Sequence, residues 1–390
     1  MGLTDSIHHH RPGQGMAKQR LLIYFVTGNP GLIDYYHVTL NSLFASLCAR
    51  DPDSELHVCG TSLPGFGAPV PFEHATGSQP YGLAQQIEYV TSRLTATAKK
   101  ISKGTNGEPV QVILVGHSIG SYILLEIINK WQCMPVTDRP PVDLVGGICL
   151  FPTVVDIAKS DTGRLVAVRV YNLSGQVIAD FVQPLLQLPY STSIAHLCIK
   201  LIFFFVPMFI MTLLMRMLTQ FEPAAARTTA LFIKSTTGVR QALYLAKDEL
   251  RTVRSDLWSD SLWGIRPLQD LAALTDATNA LRKDSAAPRK RSSTTKGLGV
   301  PAPLTRLFFY WAANDHWVAD DTRDALMLAR GRVPNSKLQQ RLTFLGESHK
   351  PVMEVDANGI PHAFPVKAAH SRIVADKVAD WVGEIMSGLR

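Results

Sequence analysis

The chain has 390 residues, of which 46% are hydrophobic, and a formal net charge of +7. This length allows one large domain or two smaller ones and is enough to bury a substantial core. Much of the basic excess lies in a stretch without aromatic residues at 282–300, which argues against nucleic-acid binding. The five scattered cysteines form no Cys-x-x-Cys pair, so they favour a reducing compartment over a disulfide framework or a zinc site.

The first nineteen residues contain the run His8-His9-His10 but no apolar stretch. We therefore expect a disordered lead-in over 1–19 and no secretory signal. From residue 21 onward, short apolar runs alternate with segments of helical periodicity, which predicts a mostly parallel sheet covered by helices on both faces, an α/β fold. The strands are predicted at 21–26, 56–59, 110–115, 144–151 and 307–311, and the clearest helices at 81–101 and 370–386.

A Gly-x-Ser-x-Gly motif occupies residues 116–120, between the predicted strand 110–115 and the helical run 121–128. In this strand–turn–helix context the motif is typical of a nucleophile elbow, in which a sharp turn exposes a serine hydroxyl above the sheet. The glycines leave room where the flanking strand and helix meet. We therefore predict Ser118 as a catalytic nucleophile; the alternative is a glycine-flanked turn without chemistry.

A serine nucleophile needs an acid and a base, which follow it in the chain order Ser, acid, His in one large class of hydrolases. Asp315 is the predicted acid because it lies four residues beyond the strand that ends at 311. Three aspartates that follow it resemble the N-terminal charges of a helix, and one earlier aspartate is a weaker rival. These rivals are Asp320, Asp321, Asp324 and Asp156.

His362 is the predicted base, because it lies in a Gly- and Pro-containing loop with apolar flanks before the closing helix. His349 and His370 are interpreted as surface residues. His117 and His316 adjoin the candidate catalytic residues, and we interpret both as structural.

Two backbone amides are needed to stabilise a tetrahedral oxyanion. One is the amide of Ile119, which follows the nucleophile. The other should come from the turn after the first strand, where we favour Asn29 and keep Gly28 and Gly31 as alternatives, since Pro30 cannot donate. Such chemistry needs no metal and no organic cofactor.

The alternation of strands and helices stops between 152 and 301, where residues 201–215 form an uncharged apolar run interrupted by Pro207. The run fits a buried cap helix, a monotopic membrane-embedded segment or, least well because of its length, a spanning helix. Lipid contact is favoured because apolar residues occupy every helical face. The predicted lipid-contact residues are Phe203, Phe204, Phe205, Phe209, Leu213 and Leu214.

These patterns divide the chain into a core of 20–155 and 301–390 with an inserted helical cap of 156–300 that contains the basic linker 282–300. The chain also resembles the lipid droplet-associated hydrolase family of α/β-hydrolases. The motifs that carry the resemblance are Gly28-Asn29-Pro30-Gly31 with Tyr35-Tyr36, Gly116-His117-Ser118-Ile119-Gly120 with Tyr122, Leu150-Phe151-Pro152-Thr153, Asn314-Asp315-His316-Trp317-Val318 and Ile360-Pro361-His362-Ala363-Phe364. The basic insertion departs from the family pattern.

The resemblance implies an α/β-hydrolase fold with Ser118, Asp315 and His362 as the triad. It also implies residence on lipid droplets and the cytosolic face of the endoplasmic reticulum, and hydrolysis of neutral lipid esters such as sterol esters or acylglycerols. The second hypothesis is a droplet-coating or turnover-regulating protein with weak or vestigial esterase activity. The presence of all three triad residues favours the enzyme.

Overall fold

The computed structural model describes residues 2–13, 20–71, 80–103, 110–135, 139–140, 142–161, 206–265, 305–332 and 349–389. Within these ranges the strands are β1 Ser6–Arg11, β2 Arg20–Val26, β3 Glu55–Thr61, β4 Val110–His117, β5 Val142–Leu150, β6 Arg306–Trp311 and β7 Val352–Val355. The helices are α1 His37–Arg50, α2 Leu83–Ser102, α3 Ile119–Cys133, α4 Met208–Thr219, α5 Pro223–Lys234, α6 Gly238–Thr252, α7 Asp320–Arg330 and α8 Ala368–Ser387. Short 3-10 turns occupy Ile33–Tyr36, Ile157–Lys159 and Phe364–Val366.

The described strands form one seven-stranded sheet in the order β1-β3-β2-β4-β5-β6-β7. The β1–β3 pair is antiparallel, and the pairs from β3 to β7 are parallel. A parallel sheet needs crossover connections that cover its faces, which is why β2 and β4 are continuous apolar runs. The predicted α/β-hydrolase architecture, a mostly parallel sheet between helices, is confirmed.

Consecutive residues of the central strands enter different cores because their side chains point to opposite faces of the sheet. Leu22, Leu114 and Phe309 pack with α2 and α3. Their chain neighbours Ile23, Val115 and Phe308 pack with α1 and α8 on the other face. The sheet is therefore held between two apolar layers, and its carboxyl edge is fixed in place for the residues that follow each strand.

The predicted disorder of the lead-in is wrong for Ser6–Arg11, which forms the edge strand β1. Ile7 of this strand is only 6% exposed and joins the core on the α1 side of the sheet. A strand at a sheet edge pairs the backbone groups that its neighbour would otherwise leave open. The sequence did not predict this strand because the segment is polar: its three consecutive histidines lie on alternate faces of the strand and form no apolar run.

The structure describes residues 156–161 and 206–265 of the predicted insertion 156–300. Its helices α5 and α6 lie over the carboxyl edge of the sheet: the hydroxyls of Tyr35 and Thr229 are 2.9 Å apart, and Asp248 accepts the Leu83 amide at 2.7 Å. Leu245 of α6 and the segment after α6 both join the main core, where the Trp263 ring stacks on Phe309 at 5.9 Å. The basic linker 282–300 lies outside the described residues.

The approach of α3 to β2 generates a first prediction. A methyl group on Gly120 would meet the carbonyl oxygen of Val26 and lie 2.7 Å from that of Thr27, whereas one on Gly383 would meet nothing within 4 Å. Gly120→Ala should therefore lower the free energy of unfolding by about 2 kcal/mol or more, whereas Gly383→Ala, on an exposed turn of α8, should raise it by up to ~1 kcal/mol. Urea titration measures both; a Gly120→Ala protein as stable as its parent would contradict the close approach.

Candidate active site

Ser118 lies at the sharp turn between β4 and α3, with φ 54° and ψ −125°. A non-glycine residue adopts a positive φ only where its surroundings hold it. Here the Ser118 amide donates to the carbonyl oxygen of Leu150 at 3.0 Å, and the Ser121 amide donates to the carbonyl oxygen of Ser118 at 2.9 Å. The turn thus carries the serine side chain to the carboxyl edge of the sheet.

The three side chains predicted as nucleophile, acid and base lie in one hydrogen-bonded line. His362 Nε2 is 2.9 Å from Ser118 Oγ, and His362 Nδ1 is 2.8 Å from Asp315 Oδ2. Asp315 is acceptor-only when ionised, so Nδ1 carries the imidazole proton and Nε2 is free to accept from the serine hydroxyl. The other oxygen of Asp315, Oδ1, accepts the amide of Trp317 at 2.8 Å. The Asp315 side chain is 4% exposed and the His362 side chain 14%, so bulk water is largely kept from the line.

The loop that carries His362 is fixed by Asp356, a residue that the sequence patterns did not single out. Asp356 directly follows β7, and its carboxylate accepts the amides of Ile360 at 2.6 Å and Asn358 at 3.0 Å as well as the hydroxyl of Tyr310. Burial acts to raise the pKa of Asp356, but these hydrogen bonds hold it below its usual range. The Asp-x-Asn-Gly sequence at 356–359 is a turn signal that could have found it.

His117 supports the site from the opposite side of Ser118. The Gly28 amide donates to the Tyr36 hydroxyl at 3.1 Å, and that hydroxyl donates to His117 Nδ1 at 2.7 Å. His117 Nε2 in turn donates to the main-chain oxygen of His362 at 2.9 Å. Burial lowers the pKa of His117 well below its usual value, which keeps the ring neutral as these two bonds require. This chain of bonds joins the turn after β2 to the loop of His362.

The turn after β2 lies directly against the elbow, since a side chain at Gly28 would come within 3.0 Å of Ser118 Cβ. The Gly28 amide already donates to Tyr36, whereas no acceptor for the amides of Asn29 or Ile119 is found in the described part of the chain. Ile119 directly follows the serine and Asn29 directly follows Gly28, and Gly28 is a weaker candidate donor than Asn29 because its amide already donates to Tyr36.

The side chain of Asn29 is held by the cap. Its Nδ2 donates to the Ala242 carbonyl at 3.0 Å and to Glu249 Oε1 at 3.1 Å, both on α6. Glu249 is only 7% exposed, and burial, reinforced by the charge of Asp248, raises its pKa to about 8. Glu249 is thus a buried carboxylic acid that is largely neutral at pH 7. No local pattern links it to Asn29, because the two residues are 220 positions apart.

The rivals for the acid and the base lie away from this line. Asp320 and Asp321 are in the first turn of α7, as predicted for helix N-terminal charges, and Asp324 pairs with Arg323. Asp156 pairs with Lys159 at 2.7 Å. Among the imidazoles, His316 and His349 are exposed and His370 is half-buried in α8.

The structure describes only part of the predicted lipid-contact segment. Phe203, Phe204 and Phe205 lie outside the described residues, whereas α4 exposes 73% of Phe209 and 53% of Leu213. Leu214 is half-buried, because it packs with Met211 and Met215 against α5, so less of its surface is open than that of Phe209 or Leu213. Across the ranges that the structure describes, no helix combines the length and apolar character needed to cross a membrane.

Comparisons with known proteins agree with these observations. Residues 19–365 match the family described as lipid-droplet associated hydrolase. The human lipid droplet-associated hydrolase is 28% identical over 171 residues, which are 42% of this chain and 45% of that protein. The rat protein of the same name is 29% identical over 156 residues, 39% of this chain and 43% of the relative. The alignments thus span less than half the length of these curated relatives.

Solved structures of hydrolases resemble the chain more distantly. A peroxisomal alpha-beta-hydrolase of Saccharomyces cerevisiae is 12% identical with a TM-score of 0.47, covering 98% of this chain and 82% of that one. A soluble variant of a monoglyceride lipase of the same yeast is 11% identical with a TM-score of 0.41, covering 97% and 92%.

The raised pKa of Glu249 generates a second prediction. The unfolded chain loses this proton near pH 4.5, whereas the folded chain holds it up to about pH 8. Between these values the folded state binds more protons, so the free energy of unfolding should fall as pH rises, by up to ~1.4 kcal/mol per pH unit. Glu249→Gln keeps an acceptor for Asn29 but cannot ionise. The free energy of unfolding of this variant should therefore rise relative to that of the parent from pH 5 to pH 8.

Denaturant titrations at pH 5, 6.5 and 8 measure this difference. Glu88→Gln, the same change at an exposed position of α2, is the control and should run parallel to the parent. A constant offset between Glu249→Gln and the parent at all three pH values would show that Glu249 ionises normally.

Proposed function

We propose that this chain, which belongs to the lipid-droplet associated hydrolase family, is a serine hydrolase of carboxylic esters. The observation that carries the proposal is the hydrogen-bonded line from Ser118 through His362 to Asp315 at the strand–helix elbow. A serine hydroxyl is a weak nucleophile unless a base within hydrogen-bond reach takes its proton, and the distance of 2.9 Å to His362 Nε2 meets that requirement.

The proposed reaction has two halves. As Ser118 Oγ attacks the ester carbonyl carbon, its proton passes to His362 Nε2, and Asp315 stabilises the imidazolium that forms. His362 then gives this proton to the departing alcohol, leaving an acyl group on Ser118. In the second half, a water molecule loses a proton to His362 and attacks the acyl carbon. The bond from the acyl carbon to Ser118 Oγ then breaks, Ser118 takes the proton back from His362, and the acid is released. Apart from this water, the proposed reaction uses these protein groups alone.

Charge that develops on the carbonyl oxygen needs donors that are already oriented. We assign this role to the amides of Ile119 and Asn29, supported by their lack of acceptors among the described residues. Fixation of the Asn29 side chain on α6 by Ala242 and Glu249 supports a turn that does not reorganise during the reaction. The cap would thereby contribute to the oxyanion site through the turn rather than through a side chain of its own.

We further propose that the substrate is a neutral lipid ester, a sterol ester or an acylglycerol, taken from the surface of a lipid droplet or the endoplasmic reticulum. The support is α4, which buries Met211 and Met215 against α5 yet exposes large apolar side chains over most of its remaining surface, with Arg216 and Thr219 as polar exceptions near its carboxyl end. A helix in contact with water on those faces would carry polar residues there. The exposed side chains include Phe209, Leu213, Met217 and Leu218, at 53–75%.

The same helix favours a second candidate function. A protein that coats droplets and regulates their turnover needs the apolar face of α4 but no rapid chemistry. This candidate function leaves the hydrogen-bonded line of Ser118, His362 and Asp315 without a role, because a coat protein needs no activated nucleophile. Activity of the purified protein therefore separates the two functions.

The serine hydrolase proposal predicts the effects of triad substitutions. Ser118→Ala should abolish labelling by a fluorophosphonate and lower ester hydrolysis by roughly three orders of magnitude or more. His362→Ala should be about as severe and Asp315→Asn somewhat milder, and the double variant Ser118→Ala/His362→Ala should be little worse than either alone. His349→Ala, an exposed histidine away from the line, is the control. Near-normal turnover in Ser118→Ala would exclude Ser118 as the nucleophile.

The location proposal predicts a loss of surface binding without a loss of fold. Phe209→Asp together with Leu213→Asp should cost several kcal/mol of transfer into an apolar phase and release the protein from droplets, because both side chains are exposed. Flotation with phospholipid-coated neutral lipid droplets measures binding, and fluorophosphonate labelling of Ser118 reports the fold. Leu328→Asp, which alters an 83% exposed leucine on α7, is the matched control. A double variant that still floats would show that α4 is not the anchor.

A further inference from the structure

We propose that the β1–β3 edge of the sheet is a binding site for a zinc-class divalent cation, with His10, His57 and Glu55 as its ligands. The site is separate from the ester-hydrolysing one. Glu55 begins β3, so the cluster lies towards the amino end of the strands, whereas Ser118 lies beyond the carboxyl end of β4.

Strand geometry places these residues on one face. Residues two apart in a strand share a face, so His8 and His10 of β1 point the same way, as do Glu55 and His57 of β3. The antiparallel register sets His10 directly opposite His57. His9 points to the other face, where its ring lies 5.4 Å from that of Phe44 in α1.

The potential ligand atoms converge. Glu55 Oε1 is 3.0 Å from His57 Nε2 and 3.7 Å from His10 Nε2, and one ligand atom from each of the three residues lies within 4.8 Å of the others. Ligands about 2.0–2.2 Å from a tetrahedral zinc are ~3.3 Å apart, close to the separations seen here. The His10 ring is stacked on that of His57, with centroids 4.3 Å apart and an interplanar angle of 13°, so His10 must turn out of this stack to direct Nε2 at a shared ion. The His10 side chain is 45% exposed, which leaves room for this turn.

Neighbouring groups orient two of the three ligands. Arg20 Nε donates to Glu55 Oε2 at 2.6 Å, which fixes the carboxylate and leaves Oε1 towards the imidazoles. His8 Nε2 is 3.0 Å from His57 Nδ1. Without an ion, the bond from His57 Nε2 to the Glu55 carboxylate places the proton of neutral His57 on Nε2. A cation would displace this proton; with the ring proton then on Nδ1 and donated to His8, the Nε2 lone pair faces the ion, an arrangement that outer partners of metal-bound histidines commonly provide.

The donor set identifies the class of ion. Two imidazole nitrogens and one carboxylate oxygen suit zinc and neighbouring transition metals, whereas calcium and magnesium take oxygen ligands. An ion bound here would join the edge strand β1 to β3. Because such an ion binds the folded chain and not the separated strands, it would stabilise the pairing of β1 with the sheet.

The experiment uses the full chain after removal of metals by a chelator. Calorimetric titration with Zn²⁺, and metal analysis of the loaded protein, should each give one ion per chain. Zinc should also raise the Tm of the protein. His10→Ala and Glu55→Gln should lose this ion and the rise in Tm, and His8→Ala should weaken zinc affinity ~10-fold. Ca²⁺ at the same concentrations should neither bind nor shift the Tm.

His9→Ala is the matched control, since it removes an imidazole from the same strand on the opposite face. It should keep one zinc ion per chain. The proposal is overturned if the parent binds no stoichiometric zinc, or if His9→Ala and His10→Ala lose it equally. Because His10 is exposed, His10→Ala tests the site even if Glu55→Gln fails to fold. Ester hydrolysis by the parent should be unchanged by the chelator, so this result is independent of the proposed serine chemistry.

Discussion

The contact of helix α3 with strand β2 at Gly120 is the constraint on which the site depends. Because residue 120 has no side chain, the first turn of α3 approaches the carbonyl oxygens of Val26 and Thr27. This approach forces the chain to reverse sharply after β4 and holds Ser118 at φ 54°. The serine then lies where the ends of three separate chain segments converge: the turn after β2, the loop after β6 and the loop after β7. A looser contact would move the nucleophile away from all three.

Hydrogen bonds that do not involve Ser118 also link the turn after β2 to the loop of His362 and to the cap. Tyr36 and His117 connect the Gly28 amide to the main chain of His362, and Glu249 connects Asn29 to α6. Both links are largely shielded from solvent, and unsatisfied polar groups are costly there, so their geometry is well determined. The base and the candidate oxyanion turn are therefore fixed by polar bonds that carry no chemistry themselves.

Local sequence was sufficient for the features that local backbone dictates. The Gly-x-Ser-x-Gly elbow, Asp315 after its strand and His362 in its loop all follow from residues within a few positions, and the structure brings these three side chains together. Glu249 and Trp263 were missed because their partners, Asn29 and Phe309, are remote in the chain. Strand β1 was missed because its pairing with β3 depends on an open sheet edge, which polar composition does not reveal.

The position of α5 has a consequence for how a substrate would arrive. The buried side of α4 packs against this helix. The hydroxyl of Thr229 on the same helix is 2.9 Å from that of Tyr35, whose neighbour Tyr36 accepts the Gly28 amide in the turn after β2. The proposed lipid surface, if it receives α4, would thus lie one helix away from the candidate site. Ester molecules confined to that surface would be encountered by lateral diffusion, and their mole fraction among the surrounding lipids, not their amount per unit volume, would set the rate of capture.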